Sequence, residues 1–252
     1  MSLFGTLVFL FISLNSSTTS SQEEHSTVFV LDVSQSMKVI DVDNGSRLSA
    51  AKSKIFEIIS ENQGHNYALN IFAGESQRIL PLTQDLDLFS TFLDDINSDN
   101  LTIQGTNLDL ALRDAINSFL GEDIGDVVIL SDGGEDHGGL TPEIVKEIKN
   151  SNIHFSIVGI GSIKGGTIPT GDIKNPYKTY QGKTVISKLS RSELIDISQE
   201  IGGKYYDLND ELQLGKGYYA SSIFKYGFLL LALLFWIMYI STIGYKIYYE
   251  KK

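Results

Sequence analysis

Residues 28–36 read Val28-Phe29-Val30-Leu31-Asp32-Val33-Ser34-Gln35-Ser36. The first four residues are apolar and do not alternate with polar ones, which predicts a strand buried on both faces of a parallel sheet. Asp32, Ser34 and Ser36 follow at alternating positions, so in an extended backbone their side chains point to one side. One carboxylate and two hydroxyls form part of the oxygen shell that a hard divalent cation prefers. This stretch therefore predicts a cation site at the end of a central strand.

Helices and strands alternate along the chain around this first strand. Apolar positions at helical spacing predict helices at residues 47–60, 85–96, 108–120, 142–150 and 192–201. Further strands are predicted at residues 66–73, 78–80, 126–131, 153–160 and 204–208, with Pro81 ending the short one. This order predicts an α/β fold, a doubly wound, mostly parallel sheet with helices on both faces, over residues 27–208.

Composition excludes several kinds of site. The chain of 252 residues contains no cysteine, which excludes disulfides and thiolate metal sites. Its formal net charge is -11, which argues against a nucleic-acid partner because such a partner needs a basic surface.

Both ends of the chain carry apolar segments. Residues 1–21 contain an apolar run before small polar residues and read as a secretory signal or, alternatively, as a retained membrane anchor, followed by a linker at 22–26. Residues 226–245 contain no charge and are long enough for a transmembrane helix. A juxtamembrane linker at 209–225 and a cytoplasmic tail at 246–252 complete the prediction. The expected location is the cell membrane, with one span or two and the 27–208 domain outside the cytoplasm.

The pattern of alternating strands and helices breaks between Gly161 and Leu189. Glycines and prolines precede two short strands around Gln181-Gly182, which predict a hairpin. An insertion of this length in a compact domain is often functional, and the alternative is a decorated surface loop.

Two more loops supply oxygen donors that fit the first stretch. Thr106 lies just before a predicted helix, and Asp132 lies just after the strand at 126–131. Because the carboxyl ends of parallel strands share one edge of a sheet, we expect both to lie beside Asp32. The predicted metal ligands are thus Asp32, Ser34, Ser36, Thr106 and Asp132, and the ion is Mg²⁺ or, alternatively, Mn²⁺ or Ca²⁺. Without an ion, Thr106 reads as a helix N-cap and Asp132 as a turn residue before Gly133.

The order Asp-x-Ser-x-Ser, Thr and Asp resembles the metal-ion-dependent adhesion site of von Willebrand factor A domains. Longer segments are similar to bacterial aerotolerance (Bat-type) membrane proteins, namely residues 81–85, 104–107, 129–137 and 182–206. The resemblance implies a membrane-anchored domain that captures an acidic residue of a protein partner through a bound cation. It also implies a complex with related membrane proteins.

Two other functions remain open from the residues. Asp32 at a strand end is compatible with a metal-dependent hydrolase, but Ser34 stands where a second aspartate of such a site is expected. No Ser/His/Asp arrangement is evident either, so the expectation is a binding module and not an enzyme. The third reading is a surface adhesin for extracellular ligands.

Overall fold

The computed structural model describes residues 25–42, 45–62, 64–103, 105–119, 124–134, 139–212 and 214. All of them lie in the first of the two units into which the chain divides, residues 1–215 and 216–252. The predicted signal or anchor at 1–21 and the predicted transmembrane helix at 226–245 lie outside the described residues. Among the helices that are described, none has the length and apolar character needed to cross a membrane.

Six strands form the main sheet. They are β1 (Ser26–Asp32), β2 (Asn66–Phe72), β3 (Ser76–Thr83), β4 (Ile124–Ser131), β5 (Asn152–Gly159) and β10 (Lys204–Asp207). Their order across the sheet is β10-β5-β4-β1-β2-β3, and every pair is parallel except β2 with β3. β1 therefore lies between β4 and β2, which makes it the central strand that its unbroken apolar pattern predicts.

Five helices cover the two faces of this sheet. They are α1 (Arg47–Glu61), α2 (Leu86–Asp95), α3 (Leu108–Ile116), α4 (Pro142–Asn150) and α5 (Arg191–Glu200). Phe29 and Leu31 of β1 pack in one core with α1 and α2, whereas Val28 and Val30 pack in a second core with α3, α4 and α5. Every residue of β1 is buried because successive side chains enter opposite cores. The predicted doubly wound α/β fold is confirmed.

The edge strand β3 differs from its prediction. It runs for eight residues and continues through Pro81. Proline lacks a backbone N–H and is tolerated on an edge strand, where one side of the backbone needs no partner. The register of β2 and β3 also shifts on both sides of Leu69, which relaxes the pairing opposite this segment.

The third helix is shorter than predicted. It ends at Ile116 and a 3₁₀ turn follows at Asn117–Phe119. Ser118 Oγ donates to the carbonyl of Asp114 at 2.8 Å and accepts from the buried Asn70 at 3.2 Å. A serine hydroxyl can bond to a backbone carbonyl one turn earlier and so compete with the N–H groups of the helix. Here this bond and the bond to Asn70 hold the end of the helix against β2.

The insertion, defined here as residues 161–189, forms two small antiparallel ladders. β6 (Gly166–Thr167) pairs with β9 (Ile186–Ser187), and β7 (Thr179–Tyr180) pairs with β8 (Lys183–Thr184). The turn between β7 and β8 is Gln181-Gly182, and both residues have positive φ, 48° and 74°. This is the geometry of a type I′ turn, so the predicted hairpin is confirmed.

Candidate metal centre

Three loops meet at the carboxyl edge of the sheet and bring together the predicted ligands. Asp32 ends β1, Thr106 precedes α3, and Asp132 follows β4. The two carboxylates are fully buried, and Ser34 and Thr106 are only 5% and 9% exposed. Buried oxygen atoms normally have hydrogen-bond partners, so a buried oxygen without one indicates a missing ligand.

Asp32 organises the loop that follows β1. Its Oδ1 accepts from the backbone N–H of Ser34 at 2.8 Å, and its Oδ2 accepts from Ser131 Oγ at 2.6 Å. The hydroxyls of Ser34 and Ser36 lie 2.9 Å apart. A 3₁₀ turn at Gln35–Lys38 follows, and its Met37 is buried in the core. The loop is thus anchored on both sides of the two serines.

The loop that carries Thr106 is held against the end of β2. The N–H of Asn107 donates to the carbonyl of Ala73 at 2.7 Å. Asn107 Oδ1 accepts from the N–H of Leu110, so Asn107 and not Thr106 is the N-cap of α3. The alternative reading of Thr106 as a helix cap is therefore wrong, and its hydroxyl is left for the site.

The described oxygens converge on one space in front of Gly134. A Cβ atom built on Gly134 lies 3.5 Å from Asp132 Oδ1 and 3.8 Å from both Ser36 Oγ and Thr106 Oγ1. We call these three oxygens, each from a different loop, the oxygen cradle. Asp132 Oδ1 is buried and has no hydrogen-bond partner among the described residues. Such an atom is costly to bury, and a cation in the cradle satisfies it.

The charges of the site also favour a cation. Burial, together with repulsion from Asp132, raises the pKa of Asp32 to about 7. Two carboxylates in one buried place disfavour each other's ionisation, and a bound cation reverses that effect. The donor set of hydroxyl and carboxylate oxygens fits Mg²⁺, Mn²⁺ or Ca²⁺. The described part of the chain contains no group of three or more His, Asp or Glu side chains that could hold a metal, so a cation at this site depends on the hydroxyl oxygens.

Arg47 is a component of the site that sequence reasoning missed. It is the first residue of α1, and its side chain is fully buried. Its Nη1 donates to Asp132 Oδ2 at 2.5 Å, and its Nε and Nη2 donate to the two oxygens of Asp41 at 2.9 and 2.7 Å. A cation in the first turn of a helix opposes the helix dipole. An arginine at this unfavourable helix position was the signal in the sequence that Arg47 has acidic partners elsewhere.

Arg47 also joins the site to the insertion. It donates to Ser187 Oγ at 2.8 Å and to the Ser187 carbonyl at 3.1 Å. Asp41 accepts from both the N–H and the hydroxyl of Ser162. Burial disfavours the charged form of Asp41, but the hydrogen bonds from Arg47 and Ser162 outweigh it and lower its pKa. Arg47 therefore links Asp132 to the insertion in two ways. It binds Ser187 directly, and it binds Asp41, which in turn binds Ser162.

A cavity of about 560 Å³ lies between the oxygen cradle and the insertion. Ser34, Ser36, Thr106 and Gly134 line one side. The insertion lines the other side with apolar residues and with Lys178 and Lys188. The volume is within the usual range for ligand sites and exceeds what a single carboxylate needs.

Comparison with known proteins agrees with this architecture. Residues 27–135 match the family model of the von Willebrand factor type A domain. An uncharacterized protein from Borreliella burgdorferi is 28% identical over 188 residues, which cover 73% of this chain and 54% of that protein. The chain thus spans about half the length of this curated relative.

Two solved structures are similar over most of the chain. The conserved hypothetical protein BatB from Bacteroides thetaiotaomicron is 26% identical, with a TM-score of 0.68 over 74% of this chain and 91% of that one. An aerotolerance-related membrane protein from Bacteroides fragilis, solved with multiple mutations to serines, is also 26% identical, with a TM-score of 0.67 over 74% and 92%. Over residues 27–135 the chain is thus similar to the von Willebrand factor type A domain, and its fold is similar to those of BatB and of an aerotolerance-related membrane protein.

Proposed function

We propose that this domain is a binding module that holds a divalent cation, Mg²⁺ first among the candidates, and uses it to capture a carboxylate of a protein partner. Ser36, Thr106 and Asp132 face the ion from three loops, and Ser34 lies beside Ser36. Asp32 holds the Ser34 backbone and balances the charge. The observation that carries the proposal is the buried, unpartnered Asp132 Oδ1, which shares one space with Ser36 Oγ and Thr106 Oγ1.

The chemistry of the donors supports a partner carboxylate as the last ligand. The cradle supplies hydroxyls and one carboxylate oxygen, while the other Asp132 oxygen accepts from Arg47. A divalent ion held by so few negative charges keeps residual positive charge and accepts further oxygen ligands. A protein carboxylate that enters from the cavity supplies both the charge and the oxygen.

Asp32 is better suited to support than to nucleophilic attack. Its side chain is fully buried, and each of its oxygens already accepts a hydrogen bond. A nucleophilic carboxylate needs an oxygen that reaches the substrate. This arrangement favours the binding module over the metal-dependent hydrolase.

The setting that we propose is a membrane. The similar structure from Bacteroides fragilis is described as an aerotolerance-related membrane protein. Together with the apolar segments at residues 1–21 and 226–245, this supports a membrane-anchored domain outside the cytoplasm that assembles with related membrane proteins. Cell fractionation tests the location, and recovery of the domain beyond the cell envelope favours the adhesin instead.

The direct test is calorimetric titration of the detergent-solubilised full chain with Mg²⁺. We expect Thr106→Ala to weaken binding, because it removes one cradle oxygen. Thr102→Ala is the matched control, since Thr102 is an exposed residue of the same loop. Equal Mg²⁺ affinity in both variants contradicts the proposed site. Hydrolysis of phosphate esters that depends on Asp32 contradicts the binding module.

A further inference from the structure

The insertion presents a surface to any partner that reaches the oxygen cradle. The cavity is bounded by site loops on one side and by residues of the insertion on the other. Its volume of about 560 Å³ leaves room for more than one carboxylate. A partner group that enters this cavity therefore lies beside the insertion.

The charges that line this cavity differ from those of the whole chain. The chain carries 31 acidic and 20 basic residues. Lys178 and Lys188 line the cavity, and no Asp or Glu is among its described lining residues. Both lysines are exposed, and neither has an ion-pair partner among the described residues. An acidic protein thus offers a locally basic wall beside its cation site.

The insertion is held in a defined position, so its two lysines have a defined place. The N–H of Lys178 donates to the carbonyl of Ile168 at 2.9 Å, and its carbonyl accepts from Val185. Lys188 directly follows Ser187, whose hydroxyl and carbonyl both accept from the buried Arg47. The exposed side chain of Ile186 also lines the cavity.

From this arrangement we propose that the partner is an acidic protein segment with at least two carboxylates. One carboxylate binds the cation, and a second pairs with Lys178 or Lys188. This inference rests on the proposed function and adds the chemistry of the partner and the residues that select it. Charge complementarity at the wall of a site sets which partner binds and how fast it associates.

The test uses short biotinylated peptides in a Gly/Ser background, immobilised on a sensor surface and exposed to the full chain in detergent. The first peptide carries a single Asp. The second carries the Asp and a nearby Glu, and the third carries the Asp and a Lys at the position of that Glu. The fourth has Asn instead of the single Asp. Each is measured in Mg²⁺ and in chelator. The variant is Lys178→Glu with Lys188→Glu. The control is Lys174→Glu with Lys183→Glu, which reverses two exposed lysines of the same insertion that do not line the cavity.

We expect the second acidic residue to strengthen binding to the wild type and the control by about three- to tenfold, the scale of one or two exposed ion pairs. The Lys178/Lys188 variant should lose this preference and bind the Lys-containing peptide better instead. Mg²⁺-dependent binding of the single-Asp peptide, with no preference for a second charge in any variant, overturns the inference and leaves the proposed function intact. Asp peptides that bind no better in Mg²⁺ than in chelator overturn the proposed function itself.

Discussion

Arg47 and Asp132 form an enclosed ion pair, with 2.5 Å between Arg47 Nη1 and Asp132 Oδ2 and neither side chain exposed. The two oxygens of the Asp132 carboxylate therefore have different roles. Oδ2 accepts from Arg47, while Oδ1 has no hydrogen-bond partner among the described residues. Arg47 therefore fixes the orientation of Asp132 and aims its second oxygen at the cradle.

Arg47→Met should destabilise the domain strongly. The change leaves Asp132 and Asp41 buried without their cation, and removal of one partner of a buried pair costs about 3–5 kcal/mol. The measurement is the free energy of unfolding from urea titration. Arg113→Met is the control, because Arg113 pairs with Glu147 on the surface, with side chains 43% and 39% exposed, and should cost less than about 1 kcal/mol. Equal costs for the two variants contradict the structural role of Arg47.

Gly134→Ala should weaken cation binding without changing any ligand. The new methyl group enters the space bounded by the three cradle oxygens, at contact distances of 3.5–3.8 Å. Because those distances are ordinary van der Waals contacts, the fold itself should tolerate the change. We expect a loss of about tenfold or more in Mg²⁺ affinity by calorimetry, comparable to the loss of a supporting contact at other metal sites. The unfolding free energy in chelator is the control and should change by less than about 0.5 kcal/mol. Unchanged affinity places the ion elsewhere.

Asp32→Asn should raise the stability of the domain in the absence of metal and reduce the stability that the domain gains from Mg²⁺. In chelator, the amide removes a buried charge that faces Asp132, so the variant should be more stable than the wild type. In saturating Mg²⁺ the wild type gains stability by mass action, about 2.7 kcal/mol at a hundredfold excess over the dissociation constant, and the variant should gain less. Thermal unfolding in both conditions measures the crossover. A variant that is less stable than the wild type in chelator contradicts the charge argument.

His65 should make the stability of the domain depend on pH. Burial and the neighbouring His25 lower its pKa below the ordinary value of 6.5, although Asp126 acts in the opposite direction. The unfolded chain therefore binds a proton more readily than the folded one, and stability is lost as the pH falls below 6.5 toward the folded-state pKa. The ring of His65 also stacks on Tyr67, with 6.1 Å between the ring centroids.

The measurement is urea unfolding between about pH 5 and 8, the interval in which histidine titrates. His65→Gln should flatten the profile in the acidic part of this interval. His154→Gln is the control, since the His154 side chain is 66% exposed. If both substitutions leave the same slope as the wild type, His65 is not the group responsible.

Local patterns were sufficient for most of the fold. The unbroken apolar run of β1 predicted a strand buried on both faces, and every residue of β1 is buried. The Gln181-Gly182 pair predicted a tight hairpin, because positive φ at both positions is needed there. Helix bounds came within a few residues for the same reason, since periodicity and caps are properties of neighbouring residues. The five predicted metal ligands were likewise chosen from residue type and from their positions in loops expected at one edge of the sheet.

Contacts between distant parts of the chain decided the rest. Pro81 predicted the end of a strand. The strand continues through it because β3 lies at the edge of the sheet, where a residue without an N–H is tolerated. Thr106 was a possible cap of α3, but Asn107, whose N–H donates to the carbonyl of Ala73 just after β2, caps the helix instead.

The amino-acid sequence by itself therefore determined the order of elements, the central strand and the set of oxygen donors, because each depends on residues close together in the chain. Only the tertiary structure showed that Arg47 orients Asp132 and that the insertion places lysines beside the cradle. These relationships join residues 85 and more positions apart, such as Arg47 with Asp132 and with Ser187. No local pattern encodes them, because the pairing exists only after the sheet and its two cores have formed.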